Sequence, residues 1–130
     1  PLNVVLHRDH PLAAQDTVRW AQLDMQPLIA SRRDYGVREL VEATLKSVGA
    51  RANIVNEIGF LYSAEWMAAC DMGLCVFPRR LAEAIHTPEV VFRPLVDPVV
   101  SRPISVLTRR GRSMSPPAAR FVELLLAELA

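Results

Sequence analysis

Met67-Ala68-Ala69-Cys70-Asp71-Met72-Gly73-Leu74-Cys75-Val76-Phe77-Pro78 is the stretch on which the fold turns. Met67 to Cys70 suits the end of a short helix, Gly73 can stop it, and Leu74 to Phe77 is an unbroken apolar run closed by Pro78. Such a run between helical segments is the pattern of a strand buried on both faces. In an open α/β sheet ligands bind in the crevice beyond the carboxyl ends of the strands, so Pro78 points at a candidate site.

Outward from this run, helical and extended patterns alternate. Upstream, Ser63 is placed to cap the helix that ends near Cys70, with Glu65 in its first turn beside the positive end of the dipole. Ala52 to Ile58 reads as a strand. Before it, Val37, Leu40, Val41, Thr44, Leu45 and Val48 follow the i, i+3, i+4, i+7 spacing, with Arg38, Glu39, Glu42 and Lys46 on the other face and Gly49 as the stop. Gln26 to Ala30 reads as a short buried strand and Trp20 to Leu23 as one helical turn. Leu2 to Leu6 reads as a strand that leaves the sheet through the polar run His7-Arg8-Asp9-His10 before Pro11.

Downstream, Leu81, Ala84 and Ile85 suggest a helical turn and Glu89 to Arg93 a strand. Pro94, Pro98 and Pro103 mark a connection, Ile104 to Arg109 a final strand and Gly111-Arg112-Ser113 a turn. Ser115 followed by Pro116 is a helix start, since a serine cap accepts from a free N–H while proline at the first position gives up none that is needed. Phe121, Leu124, Leu125 and Leu129 then line one face of the closing helix. The alternation predicts an α/β fold with a mostly parallel sheet flanked by helices.

At 130 residues and 51% hydrophobic, the chain is sized for one domain with its own core. A net charge of +1 gives no field suited to nucleic acid or an anionic membrane. No apolar run approaches the roughly 18 residues that span a bilayer. Cys70 and Cys75 fall on a helix end and a buried strand, so a disulfide between them is not expected, and reduced thiols suit the cytoplasm. Pro1-Leu2-Asn3-Val4 is not a secretory leader and reads as a start inside a longer polypeptide.

Catalytic chemistry finds little support. His7 and His10 have a metal-like spacing but no third ligand nearby, and the His-Arg-Asp of a kinase loop lacks its Gly-rich and Asp-Phe-Gly partners; a polar turn is the better reading. No Gly-x-Ser-x-Gly elbow and no phosphate-cradling glycine motif occurs, and Cys75 is best read as a small core residue. Arg102, Arg109, Arg110, Arg112 and Arg120 lack interleaved aromatics and read as solvated charges. Two strand ends are more informative. At Ile29-Ala30-Ser31-Arg32-Arg33 a buried strand turns toward a helix, where N–H groups, a hydroxyl and an arginine can hold a carboxylate; equally, Ser31 caps locally and the arginines are solvated. Glu57-Ile58-Gly59-Phe60 either borders the same crevice, with Gly59 permitting close approach and Phe60 an apolar wall, or is a simple strand-end turn.

The order of these pieces resembles the effector-binding domain of LysR-type transcriptional regulators. The resemblance is carried by Arg8-Asp9-His10-Pro11-Leu12-Ala13, by Leu23 through Pro27-Leu28-Ile29, and by Ala68-Ala69 through Gly73-Leu74 to Pro78. Phe92-Arg93-Pro94-Leu95 and Ser115-Pro116 with Ala119 and Phe121 complete it. It implies a periplasmic-binding-protein-like (type 2) fold, in which two α/β subdomains joined by two crossing strands close on a small molecule. On this mapping residues 1–9 are a crossing strand, 10–100 the second subdomain, and 101–130 the return strand and carboxyl-terminal helix of the first. The chain would then hold half of the cleft.

The resemblance further implies a non-enzymatic, cytoplasmic sensor without a cofactor, responding to a small anionic effector. Its effector-facing turn falls on Ala30, Ser31 and Arg32, with the opposing strand ends near Glu57, Gly59 and Pro78. Partners implied are the effector and further copies of the chain, as homodimer or homotetramer through residues 37–48 and 52–57. DNA is reached only through an amino-terminal winged helix-turn-helix outside these residues, and no membrane is involved. The rivals are a solute-binding protein of a transport system, an enzyme on the related two-lobed scaffold, and an oligomerisation module without ligand.

Overall fold

Every residue of Leu2–Leu6 is buried, and the strand they begin organises the whole chain. In the computed structural model, which describes residues 1–129 except for the side chain of Leu129, β1 (Leu2–His7) has a neighbour on each side. β5 (Cys75–Pro78) and β6 (Val90–Val96) both pair with it antiparallel, and β2 (Val18–Arg19) runs parallel to β6. β3 (Pro27–Ser31) and β4 (Asn53–Ile58) form a separate parallel pair. The two sheets meet at a parallel bridge between Leu28 and Leu74, where the Ile29 N–H donates to the Leu74 carbonyl at 2.7 Å and the Leu74 N–H to the Pro27 carbonyl at 2.8 Å. The spatial order is therefore β4-β3-β5-β1-β6-β2. The mostly parallel sheet expected from the alternation needs one amendment: β1 alone runs against all the others.

Alternation along β1 divides the core. Leu2, Val4 and Leu6 pack with Trp20, Leu23, Leu45, Leu74 and Leu95, while Val5 packs with Ile29, Ala64, Ala68, Cys75 and Phe77. Each layer is closed by a helix, α1 (Gly36–Ser47) on the first and α2 (Leu61–Ala69) on the second. α1 ends where the spacing predicts. Gly49 adopts φ +75°, its N–H donates to the Lys46 carbonyl, and the Ala50 N–H reaches back to Leu45 at 2.9 Å.

The stop of α2 differs from expectation. The Asp71 N–H donates to Ala68 at 3.0 Å and the Met72 N–H to Met67 at 3.0 Å, so the left-handed closing residue is Asp71, at φ +55°, rather than Gly73. Asp tolerates that conformation but glycine adopts it without strain. Asp71→Gly is therefore expected to stabilise the protein by about 0.5–1 kcal/mol, read as a rise in the midpoint of chemical denaturation.

Gly73 has a different task. At φ +146° it brings the chain so close to β3 that a Cβ there would lie 2.8 Å from the Pro27 carbonyl oxygen and 3.2 Å from Ile29 Cγ1. The start of α2 also differs: the helix begins at Leu61, two residues before Ser63, and Ser63 donates its N–H to Phe60 from within the first turn. Glu65 consequently lies beyond the first turn, where its carboxylate accepts from the Thr87 hydroxyl.

Three further expectations are corrected. Arg38 does not share the solvated face of α1; it is 5% exposed. β6 runs on through Pro94 to Val96, because Pro94 closes the ladder to β1 opposite Asn3 and the ladder to β2 begins only at Leu95. Residues 101–109 form no strand. Ile104 and Leu107 are 85% and 92% exposed there, and without a neighbouring strand to receive its backbone groups an extended segment has no ladder to join. A single turn, α3 (Arg79–Ala82), follows β5, and α4 (Pro116–Leu129) closes the chain with Phe121, Leu124 and Leu126 exposed. No helix of the described residues is long and apolar enough to cross a membrane.

Candidate functional site

β3, β4 and β5 run in the same direction, so their carboxyl ends share one edge of the sheet. This edge gathers Ser31-Arg32, Ile58-Gly59 and Pro78 on neighbouring strands, and with strands about 4.8 Å apart the row spans the width of a small molecule. The first residue of β1 joins it, because Leu2 pairs with Pro78.

Ser31 is 9% exposed and its Oγ has no hydrogen-bond partner among the described residues. A buried hydroxyl left without a partner costs stability, so Ser31 Oγ retains an unused hydrogen-bonding capacity at the end of β3. Ala30, beside it, is half-buried. Arg32 is exposed; its N–H donates to the Ile58 carbonyl at 3.2 Å, which ties the β3 turn to the end of β4, and its guanidinium lies 3.4 Å from Asp34. Local capping by Ser31, one of the alternatives for this turn, is absent: α1 starts with Tyr35 as the capping residue and no side-chain cap. Tyr35 instead spans the turn, its hydroxyl donating to the Gly59 carbonyl at 3.2 Å.

Gly59 is not there for want of space. A Cβ would meet only Arg32 Cδ at 4.0 Å, an ordinary contact. Phe60 stands 79% exposed beside it. Glu57 is engaged from another direction: its carboxylate receives Arg38 at 3.4 Å. The same guanidinium donates to the Ser31 carbonyl at 2.9 Å and to Glu42 at 2.6 Å. Arg38 thus fastens the end of β3 to both α1 and β4. Sequence reasoning missed this residue, although Glu42 four positions on and the acidic Glu57 offered partners for a buried guanidinium.

A cavity of about 30 Å³ between β3 and α1, lined by Ile29, Ser31, Val37, Arg38 and Val41 among others, has room for a water-sized group only. The histidines serve locally: Nδ1 of His7 accepts from the Asp9 N–H at 3.2 Å and Nδ1 of His10 from the Leu12 N–H at 3.1 Å. Both cysteines are free thiols. Burial, with the charge of Glu65 adding to it, pushes the Cys75 thiol far above its ordinary value, so it stays protonated and unreactive.

A family model described as LysR substrate binding domain matches residues 1–130. The chain belongs to that family, the effector-binding domains of LysR-type transcriptional regulators, and has their periplasmic-binding-protein-like fold of type 2. It is 31% identical over 124 residues to a probable nitrogen assimilation transcriptional activator of Synechococcus elongatus, covering 95% of this chain and 40% of that protein. It is 36% identical over 119 residues to the uncharacterized HTH-type transcriptional regulator YfeR of Shigella flexneri, covering 88% of this chain and 37% of that protein. The chain therefore spans about two-fifths of the curated relatives it matches. Among solved structures, the CcmR regulatory domain of Synechocystis PCC6803 in complex with 2-PG superposes with a TM-score of 0.86 at 22% identity, covering 98% of this chain and 62% of that one.

Proposed function

We propose that this chain is the half of a sensor domain that receives a small anionic effector on the edge formed by Ala30, Ser31, Arg32, Gly59 and Pro78. Glu57 acts on that edge through Arg38. The observation that carries the reading is the buried, unpartnered Ser31 hydroxyl next to the exposed guanidinium of Arg32, at the end of a strand whose neighbours end beside it. A carboxylate seated there satisfies the hydroxyl and gains a charge-assisted bond. The 2-PG complex of the Synechocystis domain supports a small-molecule ligand for this fold.

The named relatives are transcriptional regulators, which favours a non-enzymatic, cytoplasmic role over an enzyme on the same scaffold. The same relatives weigh against a transport-type solute-binding protein. The whole protein would bind DNA through a winged helix-turn-helix outside this chain and associate as a homodimer or homotetramer through α1 and β4. The remaining rival, an oligomerisation module, predicts that no ligand matters.

A ligand shifts an equilibrium only by its differential affinity for the two states, so an effector must alter how the regulator occupies DNA. In the full-length protein, a panel of small carboxylates and phosphorylated acids is expected to contain a compound that changes the footprint on its promoter. Arg32→Ala should weaken that compound about tenfold in calorimetry while leaving the fold intact. A footprint indifferent to every compound that binds would overturn the sensor reading; unchanged affinity in the variant would remove Arg32 from the site.

A further inference from the structure

The cavity enclosed between β3 and α1 has two kinds of wall. Ile29, Val37 and Val41 make part of it apolar, while Ser31, Arg38 and Glu42 bring polar groups to it. Its volume of about 30 Å³ exceeds the ~10–15 Å³ that one water requires and falls far short of an organic ligand. Purely apolar cavities stay dry, whereas a water enters where it finds two to four polar partners. Which of the two this cavity is depends on what its polar wall leaves unused.

That wall leaves a good deal. Ser31 Oγ is buried and has no hydrogen-bond partner among the described residues. Arg38 Nε serves Glu42 and Nη1 serves the Ser31 carbonyl and Glu57, so among the described residues neither N–H of Nη2 has an acceptor. The 2.9 Å bond from Nη1 to the Ser31 carbonyl sets the guanidinium directly against Ser31. An unused hydroxyl and unused donors thus border one water-sized space, and a water can bridge groups up to about 5.5 Å apart through two ordinary hydrogen bonds.

We propose that this cavity is the site of one ordered water that accepts from Arg38 Nη2 and donates to Ser31 Oγ, with the Glu42 carboxylate as acceptor for its second hydrogen. The site does not depend on the sensor reading, and it is compatible with it. A hydroxyl has one hydrogen to give and two lone pairs, so Ser31 can accept from the water inside while it donates to a carboxylate outside. The water then completes a hydrogen-bonded chain from the end of β3 to α1. An acceptor that engages the Ser31 hydrogen from outside fixes which way the inner bonds point, and bonds in such a chain strengthen one another.

The test uses the full-length protein. Crystals that resolve ordered solvent are expected to show a single water within hydrogen-bond distance of Ser31 Oγ and the Arg38 guanidinium; a dry cavity, or a water that misses either group, overturns the proposal. Two variants then give an answer in solution by its sign. Removing a buried hydroxyl that has no partner relieves a desolvation cost, whereas removing one that holds a water loses a bond. Likewise the extra carbon of Val41→Ile stabilises a dry cavity by filling it, but expels a bound water and strands its partners. Both Ser31→Ala and Val41→Ile are therefore expected to speed hydrogen exchange about tenfold in the peptide spanning residues 31–41, whose Arg32 and Tyr35 amides close the turn. Unchanged or slower exchange in either variant overturns the site. If the cavity is dry while an effector still changes the promoter footprint, this inference fails and the sensor reading stands; if the water is present but no ligand changes the footprint, the reverse holds.

Discussion

Gly73→Ala is expected to destabilise this domain by about 3 kcal/mol or more, the sum of a strained backbone and an overpacked contact, each of order 1–3 kcal/mol. The φ of +146° lies outside what an L side chain readily adopts. The added methyl would also sit 2.8 Å from a carbonyl oxygen that cannot retreat, because the Pro27 carbonyl accepts the Leu74 N–H at 2.8 Å. Moving either strand breaks the Leu28–Leu74 bridge that joins β3 and β4 to the rest of the sheet. The damage should therefore appear first in the Ile29 and Leu74 amides, as faster hydrogen exchange, ahead of those in β1. Gly36→Ala is the control. Nothing lies within 4 Å of its Cβ position and it opens a helix, so a change within about 0.5 kcal/mol is expected. Equal effects at the two glycines would sink the close-approach argument.

The same glycine shows where sequence reading succeeds and where it stops. The helix-to-strand passage from Met67 to Pro78 was legible because burial on both faces leaves an apolar run, and the α1 face because its spacing repeats at 3, 4 and 7. Which residue ends α2 was not legible. Both Asp71 and Gly73 can adopt positive φ, and only the approach of β3 decides that Gly73 is needed for space and Asp71 for the cap. The strand predicted at Ile104–Arg109 failed for a related reason. Alternation states what a segment would do beside a partner, and among the described residues it has none. β2 is too short, at two residues, to leave a pattern.

At the site, the turn at Ser31-Arg32 could be found because a strand end before a helix places polar groups in a crevice in any sheet of this kind. Arg38 could not be separated from the other charges of α1 by periodicity. Its neighbour Val37 is buried, and a long side chain leaving the flank of the helix can fold back under the turn rather than out into water. The reading of Gly59 failed in the opposite direction: a glycine at a strand end suggests close approach, but the contact there is an ordinary one.

Arg38→Ala should cost about 2–3 kcal/mol, and more of it should come from the Ser31 carbonyl than from the two acids. Glu57 is 52% and Glu42 30% exposed, so each can recover solvation once the guanidinium is gone, and partly exposed pairs contribute about 0.2–1 kcal/mol. The guanidinium itself is 5% exposed and donates to a carbonyl at 2.9 Å. Removing it leaves that acceptor unpaired, opens the packing of α1 against β3, and loosens the turn that carries Arg32. Glu57→Gln and Glu42→Gln should accordingly each cost under about 1 kcal/mol, well below Arg38→Ala. Arg38→Lys should recover only part of the loss, since an ammonium cannot reach a carbonyl and two carboxylates from one planar fork. Hydrogen exchange at Arg32 and Tyr35 supplies the local readout, because their N–H groups close this turn onto Ile58 and Arg32. If those amides stay protected in Arg38→Ala, the guanidinium is a passenger on α1 and the edge holds its shape without it. If they open while α1 and β1 remain protected, Arg38 is the residue through which the helix sets the geometry of the effector turn.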